Sequence, residues 1–557
     1  MPASVRPILR RWTVAEATLP PSGFPDDIPA DLFTAFDAYE RAILANDLDA
    51  LDAAFAPGPQ TIRADGAGLL VGHDAISAFR VTRGGVAPRT IERLEYRPLG
   101  PGIALLVAES RFHGGGRGIQ TQVWQRIDGR WLITAAHVTP RTPAFDRSIW
   151  RSVGDPLWQG AWEGPLAGLT VAVKDLFALT GFRIGAGNPT YLREARAEKT
   201  TAPALADLIR AGASVRGLAR TDEFAYSIAG DNAHYGTPPN AALPGALPGG
   251  SSSGPASAVA LGQADVGLAT DTAGSIRVPA AYQGLWGLRT THGLVPRQGM
   301  LPLAQSFDTV GWLTRDGATL QRVAEWCLSY DGSDSTESVY GESGDDLPWR
   351  FIVPDEVLDA ADAPTREAFD SLVARLAASD DPPRLARVEI GDLDEYVAPF
   401  RTVQGAEAWR NNGEWLREHP GAVGPAVAER FRLAASVSPA AEADARGALA
   451  PLRESLHHLV RDAVLLLPTV PGPAPARTAA PAEIDATRLS TLRMTTPAAV
   501  AGLPALSIPL LTVRSPLGPA PVGVCLISRA GTDIALVRLA RRLAALVATD
   551  PAERTLT

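Results

Sequence analysis

The sequence predicts an α/β protein with a smaller α+β domain ahead of it, and three observations carry that prediction. At 557 residues the chain exceeds what one hydrophobic core usually organises. Its first quarter reads as helix followed by adjacent strands, and the rest alternates short apolar runs with helical patterns. With 46% hydrophobic and 20% charged residues, the composition allows large cores and excludes a disordered or fibrous chain.

In chain order, residues 1–27 are rich in Pro and Arg and read as an arm. Next, PADLFTAFDAYERAILANDLDALDAAF places Leu32, Phe36, Tyr39 and Ile43 at four- and three-residue steps, one apolar face of a helix. Three strand-like runs follow: GIALLVAESRF, GIQTQVWQRI and RWLITAAHVT. The last two are separated by Asp128-Gly129, which favours the positive φ angles of a type I′ turn and predicts a hairpin over 119–138. Helix first and antiparallel sheet after it make residues 28–142 an α+β domain. Around 140–165 a Pro/Gly/Trp-rich passage reads as the junction, so the second domain spans 143–557. There LTVAVKDLF reads as a strand, TAPALADLIRAGA as a helix with a Thr cap, and SVRGLAR as another strand. Residues 360–465 read as helical, and TDIALVRLARRLAALVA as a closing helix.

Several function classes are excluded by composition. A net charge of −9 argues against a sequence-independent grip on nucleic acid, which needs clustered cations. Cys327 and Cys525 lie in apolar runs and read as inert, and no Cys/His cluster has zinc spacing, so neither metal nor cofactor is implied. No run approaches the roughly 18 apolar residues of a membrane span, and the N-terminus lacks a signal-peptide core. A cytoplasmic protein without a membrane partner is the expectation.

The chemistry concentrates in PGGSSSGPASAVALGQADVGLATDTAGSIRVPAAY, residues 248–282. Small residues from Gly249 to Ser253 leave backbone amides accessible, and the Ala-rich run beyond reads as a buried helix. In DTAGS, Thr272, Ala273, Gly274 and Ser275 offer consecutive N–H groups in a tight turn, suited to holding an oxyanion, with Ser275 as nucleophile. Such a serine needs a base. Apart from His292, which sequence cannot place, no histidine adjoins either motif. Lys174 stands in the otherwise apolar LTVAVKDLF, where burial would lower its pKa and make it a neutral acceptor. Taken singly, each feature has a plainer reading: a paired or snorkelling lysine, a polar loop, a turn. In this order they are far more specific.

The segments AGLTVAVKDLF, PGGSSSG and TDTAGSIRVPA resemble the amidase-signature family, whose enzymes use a Ser-cisSer-Lys triad. The resemblance covers about residues 155–550 and implies a mixed central sheet flanked by helices. It makes Lys174 the base, Ser251 the bridging serine after a cis peptide, and Ser275 the nucleophile, with the amides of Thr272 to Ser275 as oxyanion hole. The 24 residues from Ser251 to Ser275 match the family, and Asp271 and Arg277 fall on its structural positions. DEFAYSIAGDNAHYGTPPN and LAQSFDTVGWLTRD look like the indole-3-acetamide hydrolase branch. Ser253 and Ala273 replace usual glycines, as in the allophanate-hydrolase-like branch, so altered loop shape and substrate preference are expected. Tyr226 and Ser227 are the candidate substrate-binding residues.

Residues 28–142 are similar to SnoaL-like cones, in particular to the small protein accompanying carboxybiuret hydrolase, through GHDAISAFRVTRGG and RWLITAAHVT. Cones of this kind often dimerise, so a homodimer is expected, with this domain serving assembly; His137, Arg80 and Arg89 are expected to be structural. A competing pattern is discounted: GSSSG fits an esterase elbow with Ser252 as nucleophile, and HGGG at 113–116 imitates its oxyanion motif, but PNAALPGALP cannot be the strand that an elbow requires. The implied activity is hydrolysis of a small amide or urea-derived substrate through an acyl-enzyme. The alternatives are an amidotransferase-type glutaminase and a catalytically silent binding protein of the same fold.

Overall fold

Asp128 and Gly129 take φ angles of 50° and 80°, the pair of left-handed residues that a type I′ hairpin needs. The computed structural model describes residues 25, 27–65, 68–82, 88–112, 117–139, 145–329 and 346–548. Most of the expected arm and the HGGG segment lie outside them. The chain divides into two compact units between residues 145 and 146.

In the first unit the helix Ala30–Ala45 buries Leu32, Phe36, Tyr39 and Ile43, the face expected from their spacing. The helical stretch is two helices rather than one. Asn46 turns left-handed at φ 53°, and Asp47 caps the short helix Leu48–Ala53 by accepting from the Ala50 N–H at 3.0 Å. Six strands form one sheet: β1 (Ile62–Asp65), β2 (Gly68–Val71), β3 (Arg89–Gly100), β4 (Ile103–Phe112), β5 (Arg117–Ile127) and β6 (Arg130–Val138), in the order β2-β1-β6-β5-β4-β3. The first three were not read from sequence. Strands β1 and β2 are four residues each, too short to show a period, and a register shift between Ile91 and Arg93 breaks the alternation of β3. The β1–β6 pair is parallel, which corrects the expectation of a purely antiparallel sheet. Phe36, Phe55, Trp124 and Ile133 fill the space between sheet and helices.

The second unit contains β7 (Trp150–Trp158), β8 (Thr170–Lys174), β9 (Ser214–Ala219), β10 (Val266–Asp271), β11 (Trp286–Arg289), β12 (Thr309–Thr314), β13 (Arg350–Pro354), β14 (Arg384–Val388), β15 (Val464–Pro468), β16 (Ala505–Ile508), β17 (Thr512–Ser515), β18 (Gly518–Pro521) and β19 (Val524–Ile527). Eleven form a mixed sheet ordered β14-β13-β15-β19-β16-β11-β12-β10-β8-β9-β7, while β17 and β18 pair as a hairpin. Strand β7 corrects the reading of 140–165 as a pure junction: it is an irregular edge strand, where Gly154 and Pro156 are tolerated. Edge strand β14 likewise interrupts the helical stretch 360–465, because its mostly solvent-facing Arg-Leu-Ala-Arg-Val shows no apolar period. The helix Pro203–Arg210 starts at Ala202 without a side-chain cap; Thr201 instead meets Thr180 at 2.9 Å. Cys525 is buried and Cys327 half-buried; burial pushes the Cys525 thiol up to about 11, as an inert thiol requires.

Strands β8 and β10 are parallel neighbours whose last residues are Lys174 and Asp271. Their carboxyl ends therefore open on the same edge of the sheet, the usual place for a ligand in an α/β fold. Both strands are almost wholly buried, which is why the β8 segment reads as a continuous apolar run; β10 was not read as a strand from sequence.

Candidate active site

Lys174 is fully buried, and its Nζ donates to Ser251 Oγ at 2.8 Å, Ser252 Oγ at 3.0 Å and Thr270 Oγ1 at 2.7 Å. Burial pushes its pKa down to about 7, against the pull of the Asp222, Asp271 and Asp308 carboxylates. An ammonium satisfies three hydroxyl oxygens with three N–H bonds. A neutral amine has only two and a lone pair, so one hydroxyl must turn and donate to it.

Ser251 is also fully buried, and the Gly250–Ser251 peptide is cis. Its carbonyl accepts from Thr221 Oγ1 at 2.8 Å and the Asp222 N–H at 3.2 Å. Asp222 in turn accepts from Ser253 Oγ and the Gly230 N–H, both at 2.9 Å. Those bonds tie the serine run to the loop that follows β9. The Ser252 N–H donates to the Ser275 carbonyl at 3.3 Å, so the serine run and the DTAGS turn adjoin through the backbone. Among the described residues no hydrogen bond joins the Ser251 and Ser275 hydroxyls. The structure thus holds the lysine-to-serine contact, with the second serine beside it.

The turn is organised by Asp271. Its carboxylate accepts from Arg277 Nε at 3.1 Å and Nη2 at 3.0 Å, and from Arg289 Nη1 at 3.1 Å, with all three side chains fully buried. Burial alone would raise its pKa, but the two guanidinium groups hold it well below the usual carboxylate range. The Gly274 N–H also donates to Asp271, at 2.8 Å. That corrects the expected oxyanion hole: the Gly274 amide is already engaged. The N–H groups of Thr272, Ala273 and Ser275 make no hydrogen bond among the described residues.

Two further contacts pin the turn. Thr272 Oγ1 donates to Asp308 at 2.7 Å, and Asp308, pushed up to about 6 by burial, also accepts from the Leu303 and Ala304 N–H groups. From the helix Pro481–Ala501, Thr495 Oγ1 donates to the Ala273 carbonyl at 2.6 Å, while its own carbonyl accepts from Arg277 at 2.9 Å.

Ser275, Thr272 and Ala273 line a cavity of about 340 Å³ together with Tyr226 and Ser227, so both candidate substrate-binding residues face the same space as the serine. Arg401, Arg430 and Arg488 line it as well. His292 does not: it lines a separate cavity of about 560 Å³ with Arg446 and His457, its Nε2 against the Gln305 carbonyl. Ser252, the esterase-elbow candidate, is held by Lys174 and by the Thr270 carbonyl. Sequence reading missed Ser252 and Thr270 as lysine partners, and Asp222, Asp308 and Thr495 as supports. Asp222 and Asp308 lie in segments that carried the family resemblance, which was the signal available. Among the described residues no group of three or more His, Cys, Asp or Glu could hold a metal ion, and no helix is long and apolar enough to cross a membrane.

Residues 155–537, more than half of the chain, match the family model described as Amidase. The chain belongs to the amidase family. Residues 25–142 match a second model, AtzH-like, so an AtzH-like domain precedes the amidase domain. This amidase is 36% identical over 412 residues to Amidase 1 of Arabidopsis thaliana, covering 69% of this chain and 94% of that one. It is 35% identical over 382 residues to 2-amino-5-chloromuconic acid deaminase of Comamonas testosteroni, covering 63% and 79%. Among solved structures it is similar to an inhibitor-bound chain from a vestigial protein complex bearing on the origins of an s-triazine catabolic enzyme. That likeness has a TM-score of 0.61 and 29% identity, covering 69% of this chain and 85% of that one. The protein is an amidase-family hydrolase acting on C–N bonds.

Proposed function

We propose that this amidase cleaves a small amide or urea-derived substrate through an acyl-enzyme on Ser275, with Ser251 and Lys174 as its proton relay. The observation that carries the reading is the buried Lys174 Nζ, 2.8 Å from Ser251 Oγ, beside a turn whose Ser275 faces the cavity. Neutral Lys174 accepts a proton from Ser251, Ser251 takes one from Ser275, and the Ser275 oxygen bonds to the substrate carbonyl carbon. The N–H groups of Thr272, Ala273 and Ser275, unbonded among the described residues, are the donors available to the carbonyl oxygen as it gains charge. The relay then returns the proton to the departing nitrogen, which leaves as ammonia or an amine as the C–N bond breaks. Water releases the acid by the same route, restoring Ser275. A cytoplasmic, homodimeric enzyme completes the reading, its dimeric part supported by the AtzH-like domain.

The test is ammonia release across a panel of short amides and ureas. Ser275→Ala is expected to lose at least about 10³-fold in kcat on every accepted substrate while keeping the circular dichroism and Tm of the parent. Activity surviving that substitution removes Ser275 as the nucleophile.

A further inference from the structure

Three helices each send one arginine to the cavity that holds Ser275: Arg401 from Leu393–Glu418, Arg430 from Pro425–Ala435 and Arg488 from Pro481–Ala501. They converge, since all three guanidinium charges act on the Tyr226 phenol, and Arg430 Nη1 donates to the Tyr226 carbonyl at 2.8 Å. Their neutralisation is thin. Arg488 meets the exposed Asp485 at 3.3 Å, and among the described residues neither Arg430 nor Arg401 has an ion pair. Asp222, Asp231 and Asp485 are the carboxylates acting on Arg430 from a distance, and among the described residues no Asp or Glu lines the cavity. Three other arginines on these and the adjacent helix are ion-paired. Arg410 pairs with Glu442 at 2.7 Å, Arg446 on the adjacent helix pairs with Glu407 at 2.6 Å, and Arg493 pairs with Asp394 at 2.7 Å.

In a chain of net charge −9, a cavity with three cations and, among the described residues, no lining carboxylate calls for an anion. Like charges brought together repel, and half-burying Arg430 adds a desolvation cost, so the arrangement is favourable only when a negative group enters. Planar guanidinium forks match a carboxylate in shape as well as charge. The remaining lining includes Ile228, Leu303 and Leu492, which suits the short carbon skeleton of a small acid.

We propose that Arg401, Arg430 and Arg488 bind a carboxylate on the substrate, making this an amidase for short amides that carry a carboxylate away from the scissile bond. The inference rests on the reading of Ser275 as nucleophile for its orientation, and it is tested first by binding, which needs no turnover.

The full-length Ser275→Ala chain is titrated calorimetrically with succinamate, glutaramate and adipamate, and with the uncharged pentanamide. At least one carboxylate should bind at least about tenfold more tightly than pentanamide, and 0.5 M NaCl should erode that difference, as screening of an ionic contact requires. Placing Arg430→Gln, or Arg401→Gln with Arg488→Gln, in the same chain should bring the ratio close to one. The double variant covers the case in which the Arg430 change fails to fold. Pentanamide binding as tightly as every carboxylate, or a preference unchanged in folded arginine variants, overturns the proposal. Hydrolysis separates the two readings. Equal kcat/KM on charged and neutral amides, lost in Ser275→Ala, sinks this inference and leaves the nucleophile standing. Selective carboxylate binding without hydrolysis of any amide does the reverse.

Discussion

Lys174 is the residue on which protonation and catalysis meet. Its pKa, brought down to about 7 by burial, leaves the amine half neutral near physiological pH. Only the neutral form can take the proton from Ser251, so kcat/KM should rise with pH through about 7 and level off above it. A profile that is flat from pH 5 to 9 on an accepted amide would remove the lysine from the relay. Lys174→Ala should cost about 10²- to 10⁴-fold across that range, the usual weight of a general base. Asp271 makes a different prediction, about stability. Among the described residues it is the one carboxylate ion-paired with the buried Arg277 and Arg289, so Asp271→Asn strands two cations in the core. Unfolding in urea should show a loss of about 3 to 5 kcal/mol, as for a buried ion pair broken from one side.

The helix Pro481–Ala501 shows how an element far along the chain governs the turn. Thr495 Oγ1 bridges the Ala273 carbonyl at 2.6 Å and the Thr491 carbonyl at 2.9 Å. Thr495→Val keeps the shape and leaves the Ala273 carbonyl without that donor, so a loss of about 1 to 3 kcal/mol is expected. A looser turn should also lower kcat severalfold; unchanged kcat with lowered Tm would confine Thr495 to a structural part. Elements also explain what could be read from sequence. Strand β8 lies between other strands and reads as a continuous apolar run, and Asp128-Gly129 announces its hairpin, so these were legible. Edge strands β7 and β14 and the four-residue β1 and β2 have no sustained period, so they were not. Lys174, Ser251 and Ser275 were read as a set because local motifs surround each of them. Spacing along the chain said nothing of Ser252 or Thr270 meeting Lys174, nor of the Gly274 amide being engaged by Asp271. The arginine trio left no trace, since each arginine sits in an amphipathic helix where a cation normally marks a solvent face.

At the scale of the whole molecule, every residue of the candidate site, from Lys174 to Arg488, belongs to the unit that begins at Asp146. That unit has its own sheet and its own buried clusters, so residues 146–557 expressed alone should fold and hydrolyse the accepted amide at close to the full-length kcat. The AtzH-like unit has a separate core and presents Ile62, Leu69, Val71, Leu99 and Ile119 to solvent on its strands. Exposed apolar side chains on a sheet mark a surface suited to pairing with another copy. Light scattering should therefore give a dimer for the full chain and a monomer for residues 146–557. A truncated chain that stays dimeric places the assembly surface on the amidase unit. A folded but inactive one makes the first unit part of catalysis instead of assembly, because burial and hydrogen bonding of the site residues would then be insufficient for turnover.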